Sequence, residues 1–163
     1  MKASHGSLVL EKLLAELDAA VTATHAEYGD ATAFVERDRL LDVLAFLRED
    51  DACRFEMLSD VTAVDYLGRE PRFEVVYHLY SVAHNHRLRV KVGVAEDDAA
   101  VASAVSLYPS ANWMEREVFD LYGVRFEGHP DLRRILLYEE FDGHPLRKDY
   151  PKEGRQPLIG PRN

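Results

Sequence analysis

Between residues 73 and 94 the chain alternates with a period of two, and that pattern restricts its fold more than anything else in it. Leu88, Val90, Val92 and Val94 alternate with Arg87, Arg89 and Lys91, and Phe73, Val75, Tyr77 and Leu79 alternate in the same way ahead of an Ala83-His84-Asn85-His86 turn. A period of two places each set on one side of an extended strand, so these strands have one dry face and one wet face. Such strands suit an antiparallel sheet covered on one side rather than a parallel sheet buried on both. The cover comes from amphipathic helices. Leu10, Leu13, Leu14, Leu17 and Val21 predict one over 7–28, capped by Ser7 and ended by Gly29. Leu40, Leu41, Leu44 and Leu47 predict a second, opened by Asp38, and Val101, Ala104 and Val105 a third, opened by Asp97 or Asp98. Ala31 to Glu36 and Phe55 to Tyr66 read as further strands, the latter with a bulge at Ser59-Asp60 and a turn at Gly68-Arg69-Glu70-Pro71 after it. The order α-β-α-β-β-β-α predicts an α+β two-layer sandwich, a mostly antiparallel four-stranded sheet with helices packed on one face.

With 163 residues the chain has the length of one domain and can bury a core without disulfides. Its charge is unevenly placed. Residues 142–163 hold five Lys/Arg against three Asp/Glu, or +2, which leaves 15 against 26, or −11, in the rest. The same 22 residues contain four of the seven prolines. A folded body over 1–141 is therefore expected, followed by an extended, basic tail over 142–163 that stays mobile in the free chain and docks on a partner. Leu146, Tyr150, Leu158 and Ile159 are its apolar anchors.

Composition also removes whole classes of function. A net charge of −9 argues against general nucleic-acid binding, which needs clustered Lys and Arg. The lone Cys53 excludes an internal disulfide and an iron–sulfur cluster held by this chain alone. No apolar run approaches the roughly 20 residues of a membrane span, and no secretory leader is expected at the N-terminus.

Residues 112–123, Asn-Trp-Met-Glu-Arg-Glu-Val-Phe-Asp-Leu-Tyr-Gly, predict a fourth helix with Asn112 and Glu115 as a capping box and Gly123 as its left-handed stop. On a helical wheel Trp113, Leu121, Met114, Val118 and Tyr122 form an apolar arc, and Glu117 falls inside it. A buried carboxylate needs a partner, here Arg116, Arg133, Arg134 or an arginine of another protein. On this reading Glu117 matters more to the helix than Glu115, and Arg116 can pair with Asp120 one turn on.

The stretch from Glu115, Arg116, Glu117 and Asp120 through Gly123, then Gly128-His129-Pro130-Asp131-Leu132-Arg133-Arg134, resembles the signature of the 30 kDa subunit family (the C subunit) of NADH:quinone oxidoreductase, respiratory complex I. Phe141 and Gly143-His144-Pro145-Leu146-Arg147-Lys148-Asp149-Tyr150-Pro151 are similar to its continuation. The resemblance implies a structural subunit of the peripheral arm, without a redox centre, whose partners hold FMN and the iron–sulfur clusters. It implies contact with cluster-bearing neighbours and with the subunit of the quinone site. The place implied is the cytoplasmic side of a bacterial membrane, or the matrix side in mitochondria. The motif residues expected at partner interfaces are Glu115, Arg116, Glu117, Asp120, Gly123, His129, Pro130, Arg133, Arg134, His144, Pro145, Arg147, Asp149 and Tyr150, and no catalytic, cofactor-binding or metal residue is expected. The end of the chain soon after Pro161 suggests a short version of the subunit rather than a fusion.

Two other readings compete. Related subunits occur in membrane-bound hydrogenases and in dehydrogenases of a deazaflavin cofactor. A stand-alone enzyme would use Glu115, Glu117, Asp120, His129 and His144 as an acid–base or metal site, but Glu115 and Glu117 diverge on a helix and no His stands at i+3 or i+4 to complete a ligand face. His129-Pro130 and His144-Pro145 read as repeated turn chemistry, with a hydrogen bond across an interface as the alternative.

Overall fold

In the computed structural model, residues 5–154 and 156 are described. Arg155, Leu158 and Ile159 of the expected tail lie outside them. Helix α1 spans His5–Leu17, strand β1 Val21–His25, β2 Thr32–Val35, helix α2 Leu40–Glu49, β3 Met57–Asp65, β4 Phe73–Ser81, β5 His86–Val94, β6 Ala100–Ala102, helix α3 Ala111–Tyr122 and β7 Arg125–Glu127. The α+β class with a mainly antiparallel sheet is observed. The sheet has five strands rather than four, in the order β1-β2-β5-β4-β3, and within it only β2 and β5 run parallel. The short strands β6 and β7 pair in parallel beside it.

The alternating strands behave as their pattern requires. Register pairs Phe73 with Val94, Val75 with Val92, Tyr77 with Val90 and Leu79 with Leu88, so all eight side chains meet on one face. Each is buried, with Val61 and Ala63 of β3 and Ala33 and Val35 of β2 beside them. Leu13 of α1, Leu40, Val43, Leu44 and Leu47 of α2, and Ala111 and Val118 of α3 complete the same cluster. Full burial contributes about 1.5–3 kcal/mol for each large aliphatic side chain, so this face holds the layers together. The opposite face stays polar, with Lys91 paired to Glu74 at 2.9 Å. The expected bulge is present, since the β3–β4 register shifts between Leu58 and Asp60.

Three local expectations are corrected. The helix predicted over 7–28 ends at Leu17, and its second half becomes a 3-10 turn and the edge strand β1. Val21, Thr22 and Thr24 are β-branched, and pairing with β2 outweighs their weak helical pattern. Asp38 lies in a 3-10 turn and does not cap α2. The helix predicted after Asp98 is β6, because its partner β7 lies 25 residues downstream, beyond the reach of any local pattern.

Candidate functional site

Helix α3 and the segment that follows it form one knot, and its centre is Asp120. Neither its carboxylate nor that of Glu115 is exposed at all. One oxygen of Asp120 meets Arg134 Nη1 at 2.7 Å. The other accepts the backbone N–H groups of Ile135, Leu136 and Leu137 at 3.0, 2.8 and 2.9 Å. Burial alone would push this carboxyl up. The Leu137 amide, the Arg134 guanidinium and the Leu136 and Ile135 amides outweigh it, and hold the group below the usual carboxylate range. Arg134 also donates to the carbonyls of Phe141 and Gly143 at 3.0 and 3.1 Å, and Arg116 to those of Arg133 and Arg134. The pairing expected between Arg116 and Asp120 is thus replaced. Arg116 holds backbone, and Asp120 takes Arg134.

The residues after Gly143 finish the helix. The last carbonyls of an α-helix have no intrahelical partner. Here His144 Nδ1 bonds the carbonyl of Asp120 at 2.9 Å, the Leu146 amide that of Leu121 at 3.1 Å, and Arg147 Nε that of Tyr122 at 2.6 Å. His144-Pro145-Leu146-Arg147 is therefore a C-terminal cap supplied from 24 residues away, and the Arg134 and Arg147 charges sit where the helix dipole favours cations. Gly123 makes room for it. Its φ is +76°, and a Cβ would lie 2.6 Å from the His144 ring. His129 acts at the other end of α3. Its Nδ1 accepts the Asp131 amide at 3.0 Å, so its Nε2 carries the proton donated to the Asn112 carbonyl at 3.0 Å. The two His-Pro pairs bracket one helix. Pro130 is exposed and Pro145 half-buried.

A second centre joins this knot to the sheet. Arg72, just before β4, is buried and uses all five of its donors. It grips Asp65 at 2.9 and 2.9 Å, Asp149 at 2.6 and 3.2 Å, and Glu96 at 2.5 Å. The Arg72 guanidinium holds the Asp65 and Asp149 carboxyls below their usual range. The Lys148 amide also reaches Asp65, at 2.7 Å. Tyr150 stacks on Phe141 and hydrogen-bonds Gln156 through its hydroxyl. Residues 144–150 thus lie against the body, although the sequence predicts a mobile tail from 142. Their anchors are polar, and a count of apolar residues misses them.

The helical wheel needs a larger correction. Glu117 is exposed and Glu115 is buried. The capping box does not form, because the Glu115 oxygens turn inward to Ser103 Oγ at 2.6 Å and the Ala104 amide at 2.7 Å. Helix α3 buries two sides. Ala111, Glu115 and Val118 face the sheet, and Arg116 and Asp120 face the segment 133–147. The strip between them carries Trp113, 71% exposed, and Glu117 one turn on. Placing Trp113 with the core rotates the inferred face away from the real one. Arg133 is exposed and pairs with Asp131 at 2.9 Å.

Sequence reasoning misses Asp65, Arg72, Glu96 and Ser103. One signal is available. Asp65 continues the core-facing series Val61, Ala63, and a carboxylate at such a position demands a cation. Among the described residues, no group of three or more His, Cys, Asp or Glu is placed to hold a metal ion.

Comparison with known proteins places this knot. Residues 33–156 match the family model described as "Respiratory-chain NADH dehydrogenase, 30 Kd subunit". The C subunit of the NADH-quinone oxidoreductase of Trichlorobacter lovleyi is 51% identical over 154 residues, 93% of this chain and 94% of that one. A solved structure described as Nqo5 of the trypsin-resistant fragment (1-134) superposes with a TM-score of 0.68 at 34% identity, over 78% of this chain and 99% of that one. A chain from an archaeal respiratory membrane complex, the membrane-bound sulfane sulfur reductase, superposes with a TM-score of 0.74 at 26% identity, over 91% and 86%. The matched span includes α3, the Asp120 knot and the Arg72 centre, and the chain belongs to the respiratory-chain NADH dehydrogenase 30 Kd subunit family.

Proposed function

We propose that this chain is a non-catalytic, structural subunit of the peripheral arm of a proton-translocating NADH:quinone oxidoreductase. Its task is to hold neighbours in place while electrons pass from NADH to quinone through FMN and iron–sulfur clusters in those neighbours. The observation that carries this reading is the exposed strip of α3. Asp120, Arg134, His129 and His144 fix the helix on two sides, and the remaining strip presents Trp113 to solvent. A rigid, exposed tryptophan is an unusual surface residue and a good interface anchor. Leu136 (61% exposed) and Leu146 (49%) are offered by the same wrap. Arg133, with its charge outward, suits the rim of such a contact.

The partners in this reading are the quinone-site subunit and the cluster-bearing subunits. The motif residues divide the work. Asp120, Arg134, Gly123, His144, Pro145, Arg147 and Asp149 shape the surface from inside, while Trp113, Glu117, Pro130 and Arg133 meet the partner. The docking proposed for the 142–163 tail on a neighbour would rest in part on Leu158 and Ile159, which lie outside the described residues. The cytoplasmic side of the membrane is the proposed location. Among the described residues no helix is long and apolar enough to cross a membrane. The second reading, an equivalent subunit of a membrane-bound hydrogenase or a deazaflavin-cofactor dehydrogenase, has less support, since the likeness to the sulfane sulfur reductase complex stands at 26% identity against 51% for the first.

The test is affinity purification of the tagged chain from native membranes, followed by mass spectrometry and NADH:quinone activity. The expected result is co-purification with NADH-oxidising and quinone-site subunits. Trp113→Ser should reduce incorporation while changing the stability of the free chain by no more than about 0.5 kcal/mol. Recovery of the chain alone, or with a stoichiometric flavin or iron–sulfur band of its own, would overturn the proposal. Co-purification with hydrogenase or sulfur-reducing subunits would select the second reading.

A further inference from the structure

Helix α3 carries two fully buried carboxyl groups in opposite surroundings. Asp120 has an arginine and three backbone amides. Glu115 has none of that charge. Its partners are a hydroxyl, Ser103 Oγ at 2.6 Å, and one amide, that of Ala104 at 2.7 Å. Both lie just after β6, and the rest of its side of the helix packs into the apolar cluster with Ala111 and Val118. Among the described residues no lysine, arginine or histidine forms an ion pair with Glu115. Tyr77 of β4 is the one described titratable group whose charge bears on it, and its fully buried hydroxyl is neutral throughout the physiological range. The charged pair of Asp65 and Arg72 sits at the far end of α3, next to Tyr122. From β3, β4, the segment after β6 and β7, whose Arg125 and Glu127 are exposed, no cation among the described residues acts on Glu115.

We propose that Glu115 is a proton-operated latch: with its proton on, it pins the first half of α3 to the end of β6, and loss of that proton loosens the helix. Burying a carboxylate without a cation is unfavourable, and two hydrogen bonds offset only part of the cost. Burial therefore pushes the Glu115 carboxyl up to about 7, against the pull of Ser103 and the Ala104 amide. The sign follows from linkage. A carboxyl raised in the folded state gives stability that is whole below its unfolded value, near 4.5, and is lost as pH rises through about 7. Asp120 has the opposite sign, so the two ends of one helix respond to pH in opposite directions. The latch belongs to the free chain and stands whether or not the partner reading holds. In an assembly it would make the exposed strip with Trp113 less firmly presented on the alkaline side.

The experiment uses the full chain with carbon-13 in the glutamate carboxyls. One NMR titration follows Glu115 directly, and hydrogen exchange follows the protection of α3 amides over the same pH range. In the parent, the Glu115 carbon should titrate near 7. Amide protection in α3 should fall by roughly three-hundredfold as pH rises from about 4.5 to about 7, two and a half pKa units being about that ratio in the equilibrium. Glu115→Gln keeps the shape and removes the charge, so its α3 protection should match the acidic form and stay flat. A carbon that titrates near 4.5 would overturn the proposal, and so would an unchanged pH step in Glu115→Gln. Should that variant not fold, the parent decides: protection that does not follow the Glu115 titration refutes the latch.

Discussion

Asp120→Asn is the sharpest test of how α3 is held, because it changes charge with almost no change of shape. The asparagine oxygen can take the place that accepts the amides of Ile135, Leu136 and Leu137. Its NH2 group then faces Arg134 Nη1, donor against donor, where a 2.7 Å ion pair stood. Arg134 is only 18% exposed and keeps three carbonyl partners, those of Asp120, Phe141 and Gly143. Removing one partner of a buried pair costs about 3–5 kcal/mol, and the retained carbonyl bonds point to the lower end, about 3 kcal/mol. For a chain of this length that is a fall in melting temperature of roughly 6–12 °C. Glu117→Gln is the control, since an exposed substitution should stay within about 0.5 kcal/mol. Thermal and urea melts of both variants, with Arg134→Met combined with Asp120→Asn to measure coupling, supply the check. The two substitutions should be less than additive, because each removes the same ion pair. An Asp120→Asn chain that melts within about 2 °C of the parent, or no lower than Glu117→Gln, would mean the clamp contributes little.

Gly123→Ala should destabilise by about 2–3 kcal/mol, since a Cβ 2.6 Å from the His144 ring adds to a left-handed backbone; urea titration measures it, and a loss below about 1 kcal/mol would show that the cap yields. Deleting 142–163 should lower the melting temperature by at least about 6 °C, because it removes the partners of three α3 carbonyls and takes Asp149 from Arg72; an unchanged melt would show that these bonds add nothing to the free chain. On the acid side, Asp65, Asp120 and Asp149 are held below their usual value of 3.8, so their stabilisation is present above it and is lost as pH falls through the folded values. Stability measured against pH should therefore fall towards acid. Asp65→Asn and Asp120→Asn should each flatten that fall, and an acid limb unchanged by both would refute the assignment.

Much of the frame is written locally. The strands β4 and β5, the bulge in β3 and the stop at Gly123 follow from alternation and from glycine, properties of neighbouring residues that need no partner to be read. The family can also be read, because its motif is a run of consecutive positions. What local pattern cannot supply is anything decided by a distant partner. Val21–His25 is a strand because β2 lies beside it, and Ala100–Ala102 because β7 arrives 25 residues later. The same holds for the site. The motif names Glu115, Glu117 and Asp120 together, but a wheel ranks faces by hydropathy and cannot know that a second segment will cover Asp120, or that Ser103 waits for Glu115. Sequence determined which side chains were present in α3. Only the fold decided which carboxyl met an arginine, which met a hydroxyl and which met water, because the free energy of a buried charge is set by its nearest partners in space.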